Sequence, residues 1–336
     1  MMAQEKNIDV CGIGNGLVDV VLEVSEAQFA RLNIKPLSYE LIDITVQQKL
    51  LATLHDASSV LISGGSVANS VVAVRQLGGR AGYITSLGDD EYGRHFKHEF
   101  AELGLAFGGT LSADRMTGTC ASIVTPDAVR TMRVSLGAAL DLVPDMVNEE
   151  LIARSKWLFI EGYLFSNGES GQAAVLRAVE IAKEYKTKIA LTCSDAFVLN
   201  GFGDALRPVA ENADLIFANQ DEAAVLAKVE DTKGAFEILR KRFPNLVVTA
   251  GPEGAFVSLD GKTAKVEAFK CVPQDLTGAG DMFAGTFLYA LTHGASAAEA
   301  ARMGCFMAKQ VITRLGARLP SEGRDYRQEA LQAAAA

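Results

Sequence analysis

Asp275-Leu-Thr-Gly-Ala-Gly-Asp-Met-Phe-Ala-Gly-Thr-Phe-Leu-Tyr-Ala-Leu291 joins a turn of small residues to an apolar run, with a carboxylate at the junction. Phe283, Phe287 and Leu291 recur every fourth residue, which predicts a helix burying one face. Gly278 and Gly280 let the backbone approach a ligand closely, with amides unobstructed by side chains. A helix beginning at such a turn directs free N–H groups and the positive end of its dipole at whatever lies ahead, so an anion fits there. Asp281, in the first turn, is placed to act on a group beside that anion. The pairing reads as phosphoryl transfer with Asp281 as general base.

A second glycine turn lies upstream. Gly64-Gly-Ser-Val-Ala-Asn69 opens an apolar stretch that closes on Gly78-Gly79, glycines suited to a helix C-terminal cap. A third, Gly14-Asn15-Gly16, ends the β-prone run Ile8–Ile13, and β-branched residues resume at Val18, so this turn joins two strands. A dinucleotide fingerprint beginning at Gly12-x-Gly14 would need glycine at 17, where Leu17 stands, and is rejected. Gly261-Lys262-Thr263 imitates the end of a P-loop, but the glycine required five residues earlier is Phe256. Asp260-Gly261 reads instead as a hairpin tip.

From about residue 155 onward, strand patterns (157–160, 188–192, 215–217, 246–249) alternate with helical ones (171–185, 221–229, 281–292, 298–313). That alternation predicts an α/β fold with a mostly parallel sheet covered on both faces. Residues 17–45 and 115–135 are rich in β-branched residues and lack interleaved helices, which predicts a separate small sheet acting as a lid. The expected division is 1–16, 46–114 and 137–330 for a large nucleotide-binding and catalytic domain, with 17–45 and 115–136 forming the lid.

The 336 residues, 49% hydrophobic and 22% charged, describe a chain able to bury a large core. A net charge of −9 with pI near 5.1 argues against a nucleic-acid partner, which would require a basic face. Five scattered cysteines without a Cys-x-x-Cys pair suit buried thiols in a reducing cytosol. Neither a signal-peptide pattern nor an apolar run of about 18 residues occurs, so a cytoplasmic protein without a membrane partner is expected. None of His55, His95, His98 and His293 falls in a motif.

Taken together, the turns at Gly64–Asn69 with Gly78-Gly79 and at Asp275–Asp281 with Phe283 and Gly285 resemble the paired signatures of the ribokinase/phosphofructokinase-B (PfkB) family of ATP-dependent sugar and nucleoside kinases. Asn219-Gln-Asp-Glu222 between them is similar to that family's Asn-x-x-Glu element. The runs Gly14–Asp19, Thr117–Ala121 and Arg314–Ala317 favour its adenosine-kinase branch. The likeness extends from about residue 8 to about 320. It implies a ribokinase-like three-layer α/β/α fold with a mostly parallel central sheet and a small β-sheet lid.

The resemblance also assigns roles. Asp281 would take the proton of the acceptor hydroxyl, and the amides of Gly278, Ala279 and Gly280 would form the anion hole; such donors contribute about 3–4 kcal/mol each. Arg130 corresponds to a lid arginine that contacts phosphate. Asn15, Asp19, Gly65 and Asn69 would hold acceptor hydroxyls, since a carboxylate accepts two hydrogen bonds from a vicinal diol. Cys120, Leu136 and Tyr163 would line the acceptor's base or, equally, belong to the core. Thr249, Gly251 and Gly254 form the nucleotide-side loop. Glu222, with Asn219, would organise the water shell of Mg²⁺ bridging the phosphates of ATP; the same pair also reads as a helix cap. Asp275 and the loop near Arg314–Ala317 correspond to a monovalent-cation site in some relatives, which makes K⁺ a candidate cofactor.

Leu276, where a small hydroxyl residue is usual, and Val67-Ala68, where adenosine kinases carry a polar pair, depart from the pattern. The expected activity is phosphorylation of a primary hydroxyl by MgATP, with adenosine as favoured acceptor. The alternatives are a sugar (ribose, fructose or 2-keto-3-deoxygluconate) and a kinase-like binding protein without catalysis. The expected assembly is a monomer or a homodimer.

Overall fold

The computed structural model describes residues 5–36, 38–127, 130–320 and 325–335. A nine-stranded sheet runs in the spatial order Lys262–Val266, Ala255–Leu259, Leu246–Thr249, Leu215–Asn219, Lys188–Thr192, Ser155–Glu161, Ile8–Ile13, Ala81–Ile84 and Ala106–Phe107. Every pairing from Leu246–Thr249 through Ala106–Phe107 is parallel, and the remaining two strands add as antiparallel ribbons. The inner strand Ile8–Ile13 is buried at all six positions, as a parallel strand covered on both faces must be.

Helices Ser66–Gln76, Ala279–Thr292 and Ala297–Ile312 bury their apolar stripes in a core on one face of this sheet. Helices Gly168–Glu184, Ala196–Ala210 and Thr232–Arg242 build a second core on the other. This is the three-layer arrangement expected. Asp260 and Gly261, both at positive φ (49° and 75°), turn the hairpin between Ala255–Leu259 and Lys262–Val266. Among the described residues no helix is long and apolar enough to cross a membrane.

The chain runs from Ile8–Ile13 to one side of the sheet and returns on the other at Ser155–Glu161. Open α/β sheets bind ligands where the strand order reverses, beyond the carboxyl ends of the strands. Here those two ends carry Asn15 and Glu161.

A smaller five-stranded sheet, in the order Tyr39–Leu41, Arg130–Gly137, Thr117–Val124, Leu17–Glu23 and Ser58–Gly64, stands apart. It takes in more chain than the expected 17–45 and 115–136. Ser58–Gly64 pairs antiparallel along Leu17–Glu23. The expected edge at residue 46 falls within helix Ile44–Thr53, whose buried Gln47 donates from Nε2 to Thr119 and Arg133 of this sheet. Local pattern misplaced Ser58–Gly64 because a strand entering a glycine turn and a helix reads as part of a βα unit. Its partner lies some forty residues upstream, beyond the reach of any periodicity.

Candidate active site

Two glycine positions bring distant chain segments into contact. Gly65 has φ 109°, and a Cβ there would lie 2.1 Å from the carbonyl oxygen of Asn15, so only glycine lets the Ser66–Gln76 helix start against that turn. Gly278 (φ 78°) opens the Ala279–Thr292 helix, and a Cβ there would lie 2.5 Å from the Ala317 oxygen. No side chain caps this second helix, and of its first amides Ala279 N–H turns back to the Leu276 carbonyl at 3.3 Å.

Asp281 sits in the first turn of that helix, facing the first turn of the other. Ser66 Oγ donates to Asp281 Oδ1 at 2.6 Å and Asn69 Nδ2 donates to Oδ2 at 2.9 Å. Burial pushes the Asp281 pKa up to about 6, against the pull of these two hydrogen bonds and of the Arg318 charge, while Asp19 adds to the rise. A carboxylate with that pKa is ionised near neutrality and still basic enough to take a proton.

Asp281 lines a cavity of about 220 Å³ together with Ser66, Asn219, Glu222, Thr249 and Gly280. Thr249 and Gly280 also border a larger, mostly apolar cavity of about 630 Å³. Gly251 and Gly254 line the latter, opposite Phe269, Leu276 and Ile312. Thr249, Gly251 and Gly254 therefore share one cavity. Gly280 stands between the two spaces, and a Cβ there would meet nothing within 4 Å.

On the other side of Asp281 the turn residues converge. Asn15 is buried; its amide N–H donates to Glu161 Oε1 at 3.2 Å, and its Oδ1 accepts from Asn167 Nδ2 at 2.6 Å. Asp19 lies against Gly64, where a Cβ would come within 2.8 Å of its Oδ2. Burial raises the Asp19 pKa, opposed by Arg318, Arg130 and a hydrogen bond with Cys120. Asp19 and Cys120 are register partners on neighbouring parallel strands. Burial also drives the Cys120 thiol pKa upward, so it stays protonated. Leu136 is half-buried near the end of its strand, and Tyr163 is half-buried in the turn after Glu161, its ring 5.9 Å from that of Phe197. Neither Leu136 nor Tyr163 lines the two cavities at Asp281 and Gly280.

Arg130 is engaged by a protein carboxylate. Its Nη1 lies 2.6 Å from Asp275 Oδ2, and its Nε donates to Ser122. Asp275 also accepts from Thr277 N and Oγ1 at Oδ1, and from Gly316 N at Oδ2. These hydrogen bonds and the Arg130 charge outweigh burial and lower its pKa. With its charge neutralised by a guanidinium and both oxygens accepting, Asp275 does not fit a K⁺ site in this arrangement.

Asn219 and Glu222 form a capping box, and in addition Asn219 Nδ2 donates to Glu222 Oε1 at 2.7 Å. The cap reading thus holds, without removing Glu222 from the cavity. Burial, with Asp195 and Asp221 nearby, pushes its pKa up to about 7, and among the described residues no cation contributes to that shift. A buried carboxylate lacking a positive partner fits a site for Mg²⁺, which needs one or two carboxylates and keeps its waters. Among the described residues no group of three or more His, Cys, Asp or Glu could hold a metal by itself.

Three participants escaped the sequence reading. Ser66 sits within the quoted turn but was passed over beside its glycines. Glu161 accepts from the amides of Asn15 and of Val67, tying two of the glycine turns together, and burial pushes its pKa up to about 8. A carboxylate ending the apolar strand Trp157–Ile160 was the available signal, because parallel strands present their functional residues at that end. Arg318, one residue past the quoted Arg314–Ala317 run, donates to Asn69 and pairs with Glu99. No local pattern marks an arginine that folding will bury.

Residues 38–324 match the family described as pfkB family carbohydrate kinase. The fold is similar to a crystal structure of adenosine kinase from Sinorhizobium meliloti, 31% identical with a TM-score of 0.84, over 97% of this chain and 99% of that one. In sequence the chain is 26% identical to adenosine kinase 2 of Arabidopsis thaliana, over 96% of this chain and 99% of the relative. It is 30% identical to a ribokinase of Haemophilus influenzae, over 79% of this chain and 86% of that protein. Two glycine turns from opposite ends of the chain meeting at one carboxylate agree with this likeness. The chain belongs to the pfkB family of carbohydrate kinases, phosphotransferases that use an alcohol group as acceptor.

Proposed function

We propose that the protein transfers the terminal phosphoryl group of ATP to the primary hydroxyl of a nucleoside, with adenosine as the favoured acceptor and AMP as product. The observation that carries the reading is Asp281 at the amino end of its helix, oriented by Ser66 and Asn69 in one cavity, with its neighbour Gly280 bordering the second. As the acceptor oxygen bonds to the γ-phosphorus, its proton passes to Asp281, and the bond to the bridging oxygen breaks to release ADP. The amides at Gly278–Gly280 face the charge that migrates during the step, where preorganised donors are most effective. Asp19, Asn69 and Asn15 hold the acceptor's other hydroxyls, and Thr249, Gly251 and Gly254 take the nucleotide. Glu222 would hold Mg²⁺ through the ion's water shell, and the ion would supply charge neutralisation on the phosphates.

The two adenosine kinases match nearly the whole chain and the ribokinase a shorter part, which supports a nucleoside. Apolar Leu136 and protonated Cys120 beside Asp19 suit a base more than a fully hydroxylated sugar. A second reading, a sugar acceptor, is favoured by the higher identity to the ribokinase than to the plant enzyme. An ADP-release screen with adenosine, inosine, ribose, fructose and 2-keto-3-deoxygluconate decides between them. The highest kcat/KM is expected with adenosine; a preference for a free sugar overturns the nucleoside assignment and leaves the chemistry intact.

A further inference from the structure

Arg318 stands in the loop after helix Ala297–Ile312 with its side chain only 9% exposed, and it reaches several elements at once. Its Nε donates to Asn69 Oδ1 at 2.8 Å. Its Nη1 donates to Ser63 Oγ at 2.7 Å and to Glu99 Oε1 at 3.0 Å. Glu99, on helix Glu91–Glu102, accepts the Ser63 amide on its other oxygen at 2.7 Å, and His95 Nε2 lies 3.4 Å from that same oxygen.

We infer that Arg318 is a positioning residue for the transfer, acting through Asn69 on the orientation of the Asp281 carboxylate. The inference rests on Asp281 being the base. Its core is a matter of donors and acceptors. A guanidinium only donates, so it fixes the Asn69 side chain with the carbonyl oxygen toward Arg318. The NH₂ end must then face Asp281, which accepts it at Oδ2. Reversed, the amide would set its oxygen against a carboxylate and leave the arginine without that acceptor. Asn69 therefore has one allowed orientation, and the acceptor-side oxygen of the base has a fixed address.

Stability does not account for this arginine. Its Nη2 is buried without a partner among the described residues. Removing a guanidinium from water for incomplete pairing is unfavourable, and buried ion pairs are weak contributors to folding. Its charge does act on the site, holding down the pKa values of both Asp281 and Asp19. The other charged or titratable groups facing Asp281 are Asp19, Glu161 and Tyr83.

The test compares Arg318→Met, Arg318→Lys and Asp281→Asn in the full-length enzyme, with folding followed by circular dichroism. Arg318→Met is expected to lower kcat by about 10- to 10²-fold, since small misplacements of a catalytic group have effects of that order. The acceptor KM should change far less. Losing the positive charge makes Asp281 harder to ionise, so the acidic limb of the pH profile should move to higher pH. Arg318→Lys should return the limb toward its original position and restore kcat only in part, because one ammonium cannot reproduce the Nε–H and Nη–H geometry. If Arg318→Met does not fold, the double variant Glu99→Gln/Arg318→Met, which also removes the Glu99 charge that Arg318 pairs with, is read by the same criteria. A folded variant with unchanged kcat and unchanged acidic limb overturns the inference. When Asp281→Asn is inactive alongside such a variant, only the Arg318 inference falls; if Asp281→Asn turns over normally, the assignment of the base falls and takes Arg318 with it.

Discussion

At the scale of single residues, the site gathers carboxylates that burial has made hard to ionise. Glu161, Glu222 and Asp281 have pKa values pushed up to about 8, 7 and 6 respectively, with burial the largest cause for each. A folded state that keeps protons the unfolded chain has released loses stability as those protons leave. For Glu161 the window runs from its ordinary 4.5 to about 8. The ligand-free protein should therefore melt at a lower temperature at pH 8 than at pH 5. Glu161→Gln should flatten that slope, because its amide does not titrate; scanning calorimetry across the range checks this, and an equal slope in both proteins would contradict it. Asp281, Asn69 and the glycines were readable in advance because they belong to contiguous motifs whose chemistry is local. Glu161 and Arg318 were not, since each matters through partners brought by the fold.

At the scale of elements, the Arg130–Asp275 pair links a strand of the small sheet to the loop that leads into the Ala279–Thr292 helix. With side chains 22% and 11% exposed, the pair is screened less than a surface bridge, and Asp275 also fixes the Thr277 turn and the Gly316 loop. Asp275→Ala should loosen the start of the Ala279–Thr292 helix and lower kcat/KM for ATP by about 10- to 10²-fold, a loss of roughly 1.4–2.8 kcal/mol. Steady-state kinetics with each substrate varied in turn checks it; a larger effect on the acceptor KM than on the ATP KM would contradict the placement of this loop. The helix Ala279–Thr292 was evident from its four-residue apolar spacing, and the buried strands from their β-branched runs. The Ser58–Gly64 strand and helix Ile44–Thr53 were misassigned to the large body, because membership of a sheet depends on partners remote in sequence.

At the scale of the whole molecule, the reversal of strand order beside Ile8–Ile13 creates the crevice, and two helices on the same face of the sheet aim their first turns into it. Residues 64–69 and 275–281 lie about two hundred positions apart, yet meet at the hydrogen bonds from Ser66 and Asn69 to Asp281. The layered fold followed from alternating patterns along the chain. The extent of the small sheet and the engagement of Arg130 with Asp275 did not, because both arise only from assembled geometry. The most direct test of the account is Asp281→Asn, which keeps the shape of the site and removes the proposed base. A fall in kcat of about 10²- to 10⁴-fold is predicted, with adenosine binding by calorimetry little changed. Near-normal turnover by a folded Asp281→Asn enzyme would contradict it.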